Sequence, residues 1–181
     1  MSIGLIIAMV ILVLVGGFYI YTASKLGKLN DSARNAAGEV DTYIWDRNHV
    51  LEKIIGRAEE KGVAIPEEHK EAIPLALGML PTMQMTSYTR ICKRGNDVLK
   101  IVSASPEAAE DEEIKKLMER YSSLRNDIAA AGSRYNVRAT TFNAYLSNPL
   151  AGFMASRRRW GEKGHFNAAV AEASAGNGSK E

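Results

Sequence analysis

The chain of 181 residues is poor in the side chains from which small catalytic and metal sites are usually built. It has one cysteine, Cys92, and three histidines, His49, His69 and His165, that lie far apart. A single cysteine excludes an internal disulfide and a structural zinc site of the four-cysteine type. The nucleophile-elbow, phosphate-loop, dinucleotide-binding and zinc-protease motifs are all missing. We therefore expect a protein that is not an enzyme and holds no metal or cofactor.

An excess of one charge sign is also missing. The chain has 23 basic and 21 acidic residues, with a net charge of +2. A nucleic-acid-binding protein normally concentrates basic residues on one face, and the one short basic run here is Arg157-Arg158-Arg159. We therefore expect no nucleic-acid partner.

What the sequence does have is a long uncharged run at its start, from Ile3 to Tyr21. About 19 residues in a helix rise about 28 Å, close to the hydrocarbon thickness of a bilayer. We expect residues 1–24 to form a single transmembrane anchor, with aromatic side chains at the headgroup level. The anchor side chains are Ile3, Leu5, Ile11, Leu14, Phe18 and Tyr19.

Two other interpretations of this run are a cleaved signal peptide and a buried core helix. Thr22-Ala23-Ser24 resembles a cleavage site, but the apolar run is longer than a usual signal and no basic residue precedes it. Because every face of the run is apolar, a membrane span is favoured over a buried core helix. Lys25, Lys28 and Arg34 follow the run, so the positive-inside rule predicts a cytoplasmic location for the rest of the chain, with a periplasmic location as the alternative.

The remainder predicts an all-α fold. No segment after residue 30 alternates as a strand does, and apolar residues recur at intervals of three and four. We expect an antiparallel bundle over residues 25–148 with coiled-coil-like packing. Its three long helices are expected at about 31–61, 67–102 and 106–146.

Chain breaks between these helices are marked by glycine and proline. Gly62 is expected to end the first helix, with Gly27 able to bend its junction to the anchor. Pro66 suits the first turn of the second helix, and Pro74 and Pro81 are expected to kink it.

The third helix carries the clearest pattern. After Ser105 as N-cap and Pro106 at the first position, apolar residues fall at intervals of seven and three, the a and d positions of a coiled coil. Arg138 is the one charged residue of this a/d seam. The seam residues are Ile114, Leu117, Tyr121, Leu124, Ile128, Ala131, Tyr135, Phe142 and Tyr145.

Beyond Asn148-Pro149, residues 149–166 combine an apolar patch with a basic run, which is typical of an interfacial or docking element. The alternative is that the apolar residues plug the end of the bundle. Consecutive bulky residues on the first helix add two further contact candidates, because they cannot all face one core. Residues 167–181 are expected to be a disordered tail. The contact candidates are Tyr43, Trp45, Leu150, Phe153, Met154, Arg157, Arg158, Arg159 and Trp160.

Several short motifs resemble the LemA family, in sequence order and over most of the chain up to about residue 169. Their residues are Ala36-Ala37-Gly38-Glu39-Val40-Asp41, Arg134-Tyr135-Asn136, Phe142-Asn143, Pro149-Leu150-Ala151-Gly152-Phe153 and His165-Phe166-Asn167-Ala168. The chain departs from the family pattern at Ala37, where the family has tryptophan, and over the middle helix. The resemblance implies a single-pass bacterial membrane protein, expected in the inner membrane, with a bundle of long helices and no established catalytic activity.

These observations favour a membrane-anchored helical scaffold that binds the lipid bilayer, self-associates as a homo-oligomer and possesses no enzymatic site. The alternative is an adaptor that binds another membrane protein through its bundle without forming homo-oligomers. An enzyme would have to use His49 with Asp46 and Glu52, but this spacing is typical of solvated pairs on a helix face.

Overall fold

A computed structural model describes residues 3–71 and 81–177, with the backbone alone for residues 81–84, 176 and 177. Within these residues the regular elements are all helical, and none is a strand. A short 3-10 turn at Glu67–His69 lies between the first two helices. The α-helices are α1 (Ile3–Glu60), α2 (Pro81–Ala104), α3 (Pro106–Ala109), α4 (Glu112–Leu146), α5 (Pro149–Arg157) and α6 (Ala168–Asn177).

Helix α1 has 58 residues without a break, so it is about 87 Å long. The helix continues through Gly27, because one glycine costs a helix only about 1 kcal/mol and good helix formers flank it. The predicted end is confirmed at Gly62, which has a φ of +81°. The Val63 amide donates to the Ala58 carbonyl at 3.0 Å and the Gly62 amide to the Glu59 carbonyl at 2.9 Å, which is the Schellman pattern.

The first part of α1 is exposed along its whole apolar length. The large apolar side chains from Ile3 to Tyr21 are between 46% and 77% exposed. Of the described helices, α1 alone is long and apolar enough to cross a membrane, by length and composition. Met1 and Ser2 of the predicted anchor lie outside the described residues.

The chain divides into two compact units, of which unit 1 comprises Met1–Asn35 and Val137–Lys163. Its core is built from parts of α1 and α4 and from α5, which begins at an asparagine cap. The Asn148 side chain accepts from the Leu150 amide at 3.0 Å and the Ala151 amide at 3.3 Å. The buried core residues are Leu26, Phe142, Met154 and Ala155.

Unit 2 comprises Ala36–Asn136 and Gly164–Glu181. Helix α2 packs against α3 and α6 within it. Apolar residues at intervals of three and four along α1 are buried, among them Val40, Ile44, Leu51, Ile54 and Ala58, whereas Ala36 and Ala37 are partly buried. One core cluster consists of Leu51, Ile54, Ile55, Ala58, Ile65, Val98, Val102, Ala108, Ile114 and Tyr121.

The predicted second helix differs from the structure. Residues 67–69 form the 3-10 turn instead of an α-helix, and α2 is described from Pro81 onward. The kink predicted at Pro81 stays a prediction, because the residues before it lie outside the described part. Pro74 lies outside the described residues.

The predicted third helix is also divided. Ser105 and Pro106 start a helix as expected, but α3 ends at Ala109 and α4 starts at Glu112. The break occurs because Asp111 caps α4, accepting from the Glu113 and Ile114 amides at 3.0 Å each. Lys61 and Arg57 pair with the same carboxylate at 2.9 and 3.2 Å. Hydrogen bonds from Lys61 and from the Ile114 amide hold the pKa of Asp111 well below its usual range.

Most of the a/d seam is buried, but its charged position is not. Arg138 is exposed, and Ala139 takes its place in the buried stripe. A straight helix drifts by about 20° per heptad from a strict seven-residue repeat, so the buried position moves by one residue over this length. The buried side chains of α4 are Ile114, Tyr121, Leu124, Ile128, Ala131, Tyr135, Ala139 and Phe142.

The expectation of a disordered tail over 167–181 is wrong for most of its length. Ala168–Asn177 form α6, with Ala168, Ala171 and Ala175 buried. Composition predicted disorder because alanine and glycine bury little apolar surface. Packing against α2 and the ion pairs of Glu172 with Arg47 and Arg125 hold the helix instead. Residues 178–181 lie outside the described part.

Candidate functional site

The predicted contact segment is divided between core and surface in unit 1. Met154 is buried, Leu150 and Trp160 pack partly buried against the same core, and Phe153 is 57% exposed. Met154 is therefore unavailable for a contact with another molecule, because it fills space between α1, α4 and α5. Leu150, Met154 and Trp160 therefore pack in the core of unit 1. Phe153 is the apolar residue of this segment that is exposed for contact with another molecule.

The basic run beside this segment lies against aromatic rings. The guanidinium of Arg158 is 4.9 Å from the centroid of the Trp160 ring, and that of Arg157 is 6.0 Å from the Phe153 ring. All three arginines are exposed, and Arg159 has a φ of +56° where the chain leaves α5. Exposed arginines beside aromatic rings form a surface that is at once cationic and apolar.

The other contact candidates lie in unit 2, on α1. Trp45 is half exposed and stacks on His49 with 5.2 Å between ring centroids, while Tyr43 is partly buried. The His49 Nδ1 lies 3.5 Å from a Glu52 carboxylate oxygen, and both side chains are largely solvated. This geometry is that of a surface pair on a helix.

A buried polar cluster in unit 2 is the feature that the sequence analysis missed. Arg47 of α1 is only 5% exposed. Its Nη1 donates to the Tyr88 hydroxyl at 2.5 Å, to Glu172 Oε1 at 3.2 Å and to Cys92 Sγ at 3.5 Å. Its guanidinium also lies 4.4 Å from the centroid of the Tyr121 ring. The cluster therefore joins α1 to α2, α4 and α6.

Glu172 of α6 is the carboxylate at the centre of this cluster. Its Oε1 accepts from Arg47 and from the Tyr88 hydroxyl, the latter at 2.6 Å. Its Oε2 pairs with Nε of Arg125 on α4. One side chain thus ties α6 to three other helices, which explains why an alanine-rich segment is ordered.

Burial sets the protonation states of the cluster. It raises the pKa of the Cys92 thiol and of the Tyr88 hydroxyl, and it raises the pKa of Tyr121 to about 12. Burial by itself would lower the pKa of Arg47, but the surrounding tyrosine, thiol and carboxylate groups outweigh it, so that pKa is raised. The raised pKa values keep the Cys92 thiol neutral and Arg47 cationic at neutral pH.

The cluster forms one wall of a cavity of about 320 Å³ within unit 2. Arg47 lies in the buried part of this wall, whereas the Arg125 side chain is 63% exposed. The lining residues are Arg47, Cys92, Asn96, Arg125 and Glu172, with Ala169 and Ala173 of α6. Among the described residues, no group of three or more histidine, cysteine, aspartate or glutamate side chains could hold a metal ion.

Two asparagines of α4, which lie in the motifs resembling the LemA family, bind the backbone of the C-terminal segment. In unit 2, Asn136 Nδ2 donates to the Phe166 carbonyl and its Oδ1 accepts from the Phe166 amide, both at 2.8 Å. In unit 1, Asn143 makes the same pair of bonds with Lys163, both at 2.9 Å. Such paired bonds replace the backbone partners that a segment without regular structure lacks.

Phe166 then packs where only glycine leaves room. Its ring is buried, and a Cβ on Gly132 would lie 2.7 Å from its Cδ1 atom. The ring centroid is 5.8 Å from that of Tyr88, so Phe166 sits next to the arginine cluster. The motif residues therefore position α6 and its glutamate.

A signal for the arginine cluster is present in the sequence. Arg47 falls between Ile44 and Leu51, in the same stripe of α1 that is otherwise apolar and buried. A charged residue in a core stripe needs a buried partner. Its partner is 125 positions away in a segment of low complexity, and spacing rules do not reach that far.

Comparison with known proteins adds no relative. No family model matches the chain. Neither the curated proteins nor the solved structures contain a match. The resemblance to the LemA family therefore rests on the short motifs alone.

Proposed function

We propose that the protein is a non-enzymatic helical scaffold of the LemA type, anchored in a membrane by the first part of α1 and self-associating there. The bundle is then antiparallel with coiled-coil-like packing, and its C-terminal segments present the contact surface. The cytoplasmic face of a bacterial inner membrane is the proposed location.

The observation that carries the proposal is the exposed apolar start of α1. None of its most apolar 18-residue window is buried in the protein. Fully burying one leucine or isoleucine side chain gains about 1.5–3 kcal/mol, so this run is costly in water and stable in lipid. A helix also satisfies its own backbone groups, as a bilayer requires.

Residues just beyond the run support an interface at that point. The Lys25 ammonium lies 5.9 Å from the Tyr21 ring centroid and 4.9 Å from that of Tyr145, all within unit 1. Thr22 and Leu26 are buried, so the helix changes from exposed to packed within one turn of Tyr21. Basic and aromatic side chains at such a transition are typical of the headgroup region.

A pair of matched substitutions tests the anchor. Leu12, 74% exposed, and Val137, 62% exposed, are both apolar surface residues in the structure. An arginine at the centre of a membrane helix costs about 2.5–3.5 kcal/mol, whereas an arginine on a solvated helix costs little. We expect Leu12→Arg combined with Val13→Arg to reduce the carbonate-resistant membrane fraction, and Val137→Arg to leave it unchanged.

The same fractionation overturns the anchor in two ways. A mature chain that starts near Ser24 would show a cleaved signal, and a full chain released by carbonate would show that the run is not embedded. N-terminal sequencing and mass spectrometry of the membrane fraction separate these outcomes.

Self-association is tested at Phe153, since Met154 is buried in the core. We expect Phe153→Asp to reduce the size of the assembly in mild nonionic detergent without loss of helicity. Val137→Asp is the control, because it places the same charge on an exposed apolar position of α4, outside the contact segment. A wild-type protein that is a monomer under these conditions would contradict self-association and favour the adaptor.

A further inference from the structure

The cavity beside Arg47 has features that the scaffold function leaves unexplained. Its wall holds two guanidinium groups and one carboxylate, which leaves a net charge of +1. A scaffold needs no such cavity. Arg47 and Glu172 balance each other in the buried part of the wall, and the largely exposed Arg125 guanidinium supplies an excess positive charge that an anion entering from solvent would meet.

The hydrogen bonds of Arg47 also favour an acceptor bound in the cavity. Arg47 is only 5% exposed. Its Nε has no hydrogen-bond partner within the part of the chain that the structure describes. A buried donor without a partner costs about as much as a lost hydrogen bond to a charged group. The Glu172 carboxylate is already shared by Arg47, Tyr88 and Arg125.

We propose that this cavity binds a small monocarboxylate, whose carboxylate pairs with the guanidinium groups of Arg47 and Arg125. Planar guanidinium groups match carboxylate geometry better than any other side chain does. One negative charge balances the wall, whereas a dianion would leave an excess of negative charge.

The remaining walls define the rest of the ligand. Cys92, whose thiol is neutral because burial raises its pKa, and Ala169 and Ala173 present small apolar surfaces. Asn96 offers an amide donor and acceptor. The volume of about 320 Å³ lies at the lower end of small-molecule sites. A short apolar body with one carboxylate is the chemistry that fits.

Benzoate is the probe, with benzamide as its neutral counterpart of the same shape. The full chain in lipid nanodiscs is titrated at constant ionic strength, and binding is followed by calorimetry and by the melting temperature. We expect saturable binding of benzoate with a Kd at or below about 1 mM, and at least tenfold weaker binding of benzamide. If benzamide or sulfate shifted the melting temperature as much as benzoate does, the proposal would be overturned.

Two arginines of α4 supply matched variants. Arg125 lines the cavity, whereas Arg120 is 52% exposed and pairs with Asp127 instead. We expect Arg125→Ala to weaken benzoate binding at least about tenfold, and Arg120→Ala to leave it unchanged. If Arg125→Ala does not fold, Ala173→Leu provides the second variant, because it narrows the cavity and keeps both guanidinium groups.

The benzoate test of the cavity and the carbonate test of the membrane anchor can fail independently. A wild-type chain that stays in the membrane fraction but does not bind benzoate would count against the cavity alone, and a wild-type chain that binds benzoate but is released from the membrane would count against the anchor alone. Benzoate binding that survives both Arg125→Ala and Ala173→Leu would place the ligand elsewhere and refute the proposal.

Discussion

Removing the Glu172 carboxylate is expected to be among the most costly single changes in unit 2. Arg47 would remain buried and charged, with Tyr88, Cys92 and the Tyr121 ring as its neighbours. Breaking a buried ion pair by deleting one partner costs about 3–5 kcal/mol. We therefore expect Glu172→Ala to lower the free energy of unfolding by about this amount.

The same reasoning predicts partial recovery when the cation is removed too. With Arg47→Leu in the Glu172→Ala background no buried charge remains in this cluster, and the chief residual cost is the Tyr88 hydroxyl without a partner, about 1–3 kcal/mol. The double variant should then be more stable than the sum of the single effects predicts. A coupling of at least about 1.5 kcal/mol between the two sites is expected.

Loss of the ion pair should first release α6. This helix buries three alanines, and each methyl contributes only about 0.8 kcal/mol. Hydrogen exchange of Glu172→Ala should therefore show loss of protection over α6 before the rest of unit 2.

Urea unfolding of the full chain in nonionic detergent, followed by circular dichroism, measures the cycle. If the destabilisation of the double variant equals the sum of the two single effects to within about 0.5 kcal/mol, the two sites are independent and the reasoning is refuted. Equal exchange rates over α6 in the variant and the wild type would refute the account of how α6 is held.

Three further predictions concern positions where the structure gives a physical reason. Gly95→Ala should destabilise the protein although alanine favours helices, because its Cβ would lie 2.6 Å from Cζ of Tyr121. Gly56→Ala, in open space on α1, should stabilise the protein by about 1 kcal/mol. Thermal unfolding of the two variants compares these effects. Asp111→Asn should lower the melting temperature at pH 7, and the difference should shrink below about pH 3.8, because a carboxylate with a lowered pKa stabilises the fold above its ordinary pKa and that stability is lost as pH falls through the folded value. Asn136→Asp should cost about 1–3 kcal/mol in urea unfolding, because it sets an oxygen against the carbonyl that the amide group now binds, and an unchanged midpoint would contradict this.

Local features were predictable where a single rule acts over a few residues. Gly62 ends α1 because glycine adopts a positive φ without strain, and α4 ends before Asn148-Pro149 because proline cannot continue a helix. The helix α5 that starts at Pro149 is a feature of the structure that the sequence analysis missed. The buried stripe of α4 followed from spacing until Arg138, where drift over several heptads moved burial to Ala139.

The sequence by itself determined the helical class, the caps and an apolar first segment, because these depend on neighbours within a few turns. Only the tertiary structure decided that Arg47 is buried, that Met154 is core, and that a low-complexity tail becomes α6. The physical reason is that an isolated alanine-rich helix of this length is unstable in water. It forms here because Glu172 meets two arginines brought in from distant helices, and the pairing of distant charges is set by the fold.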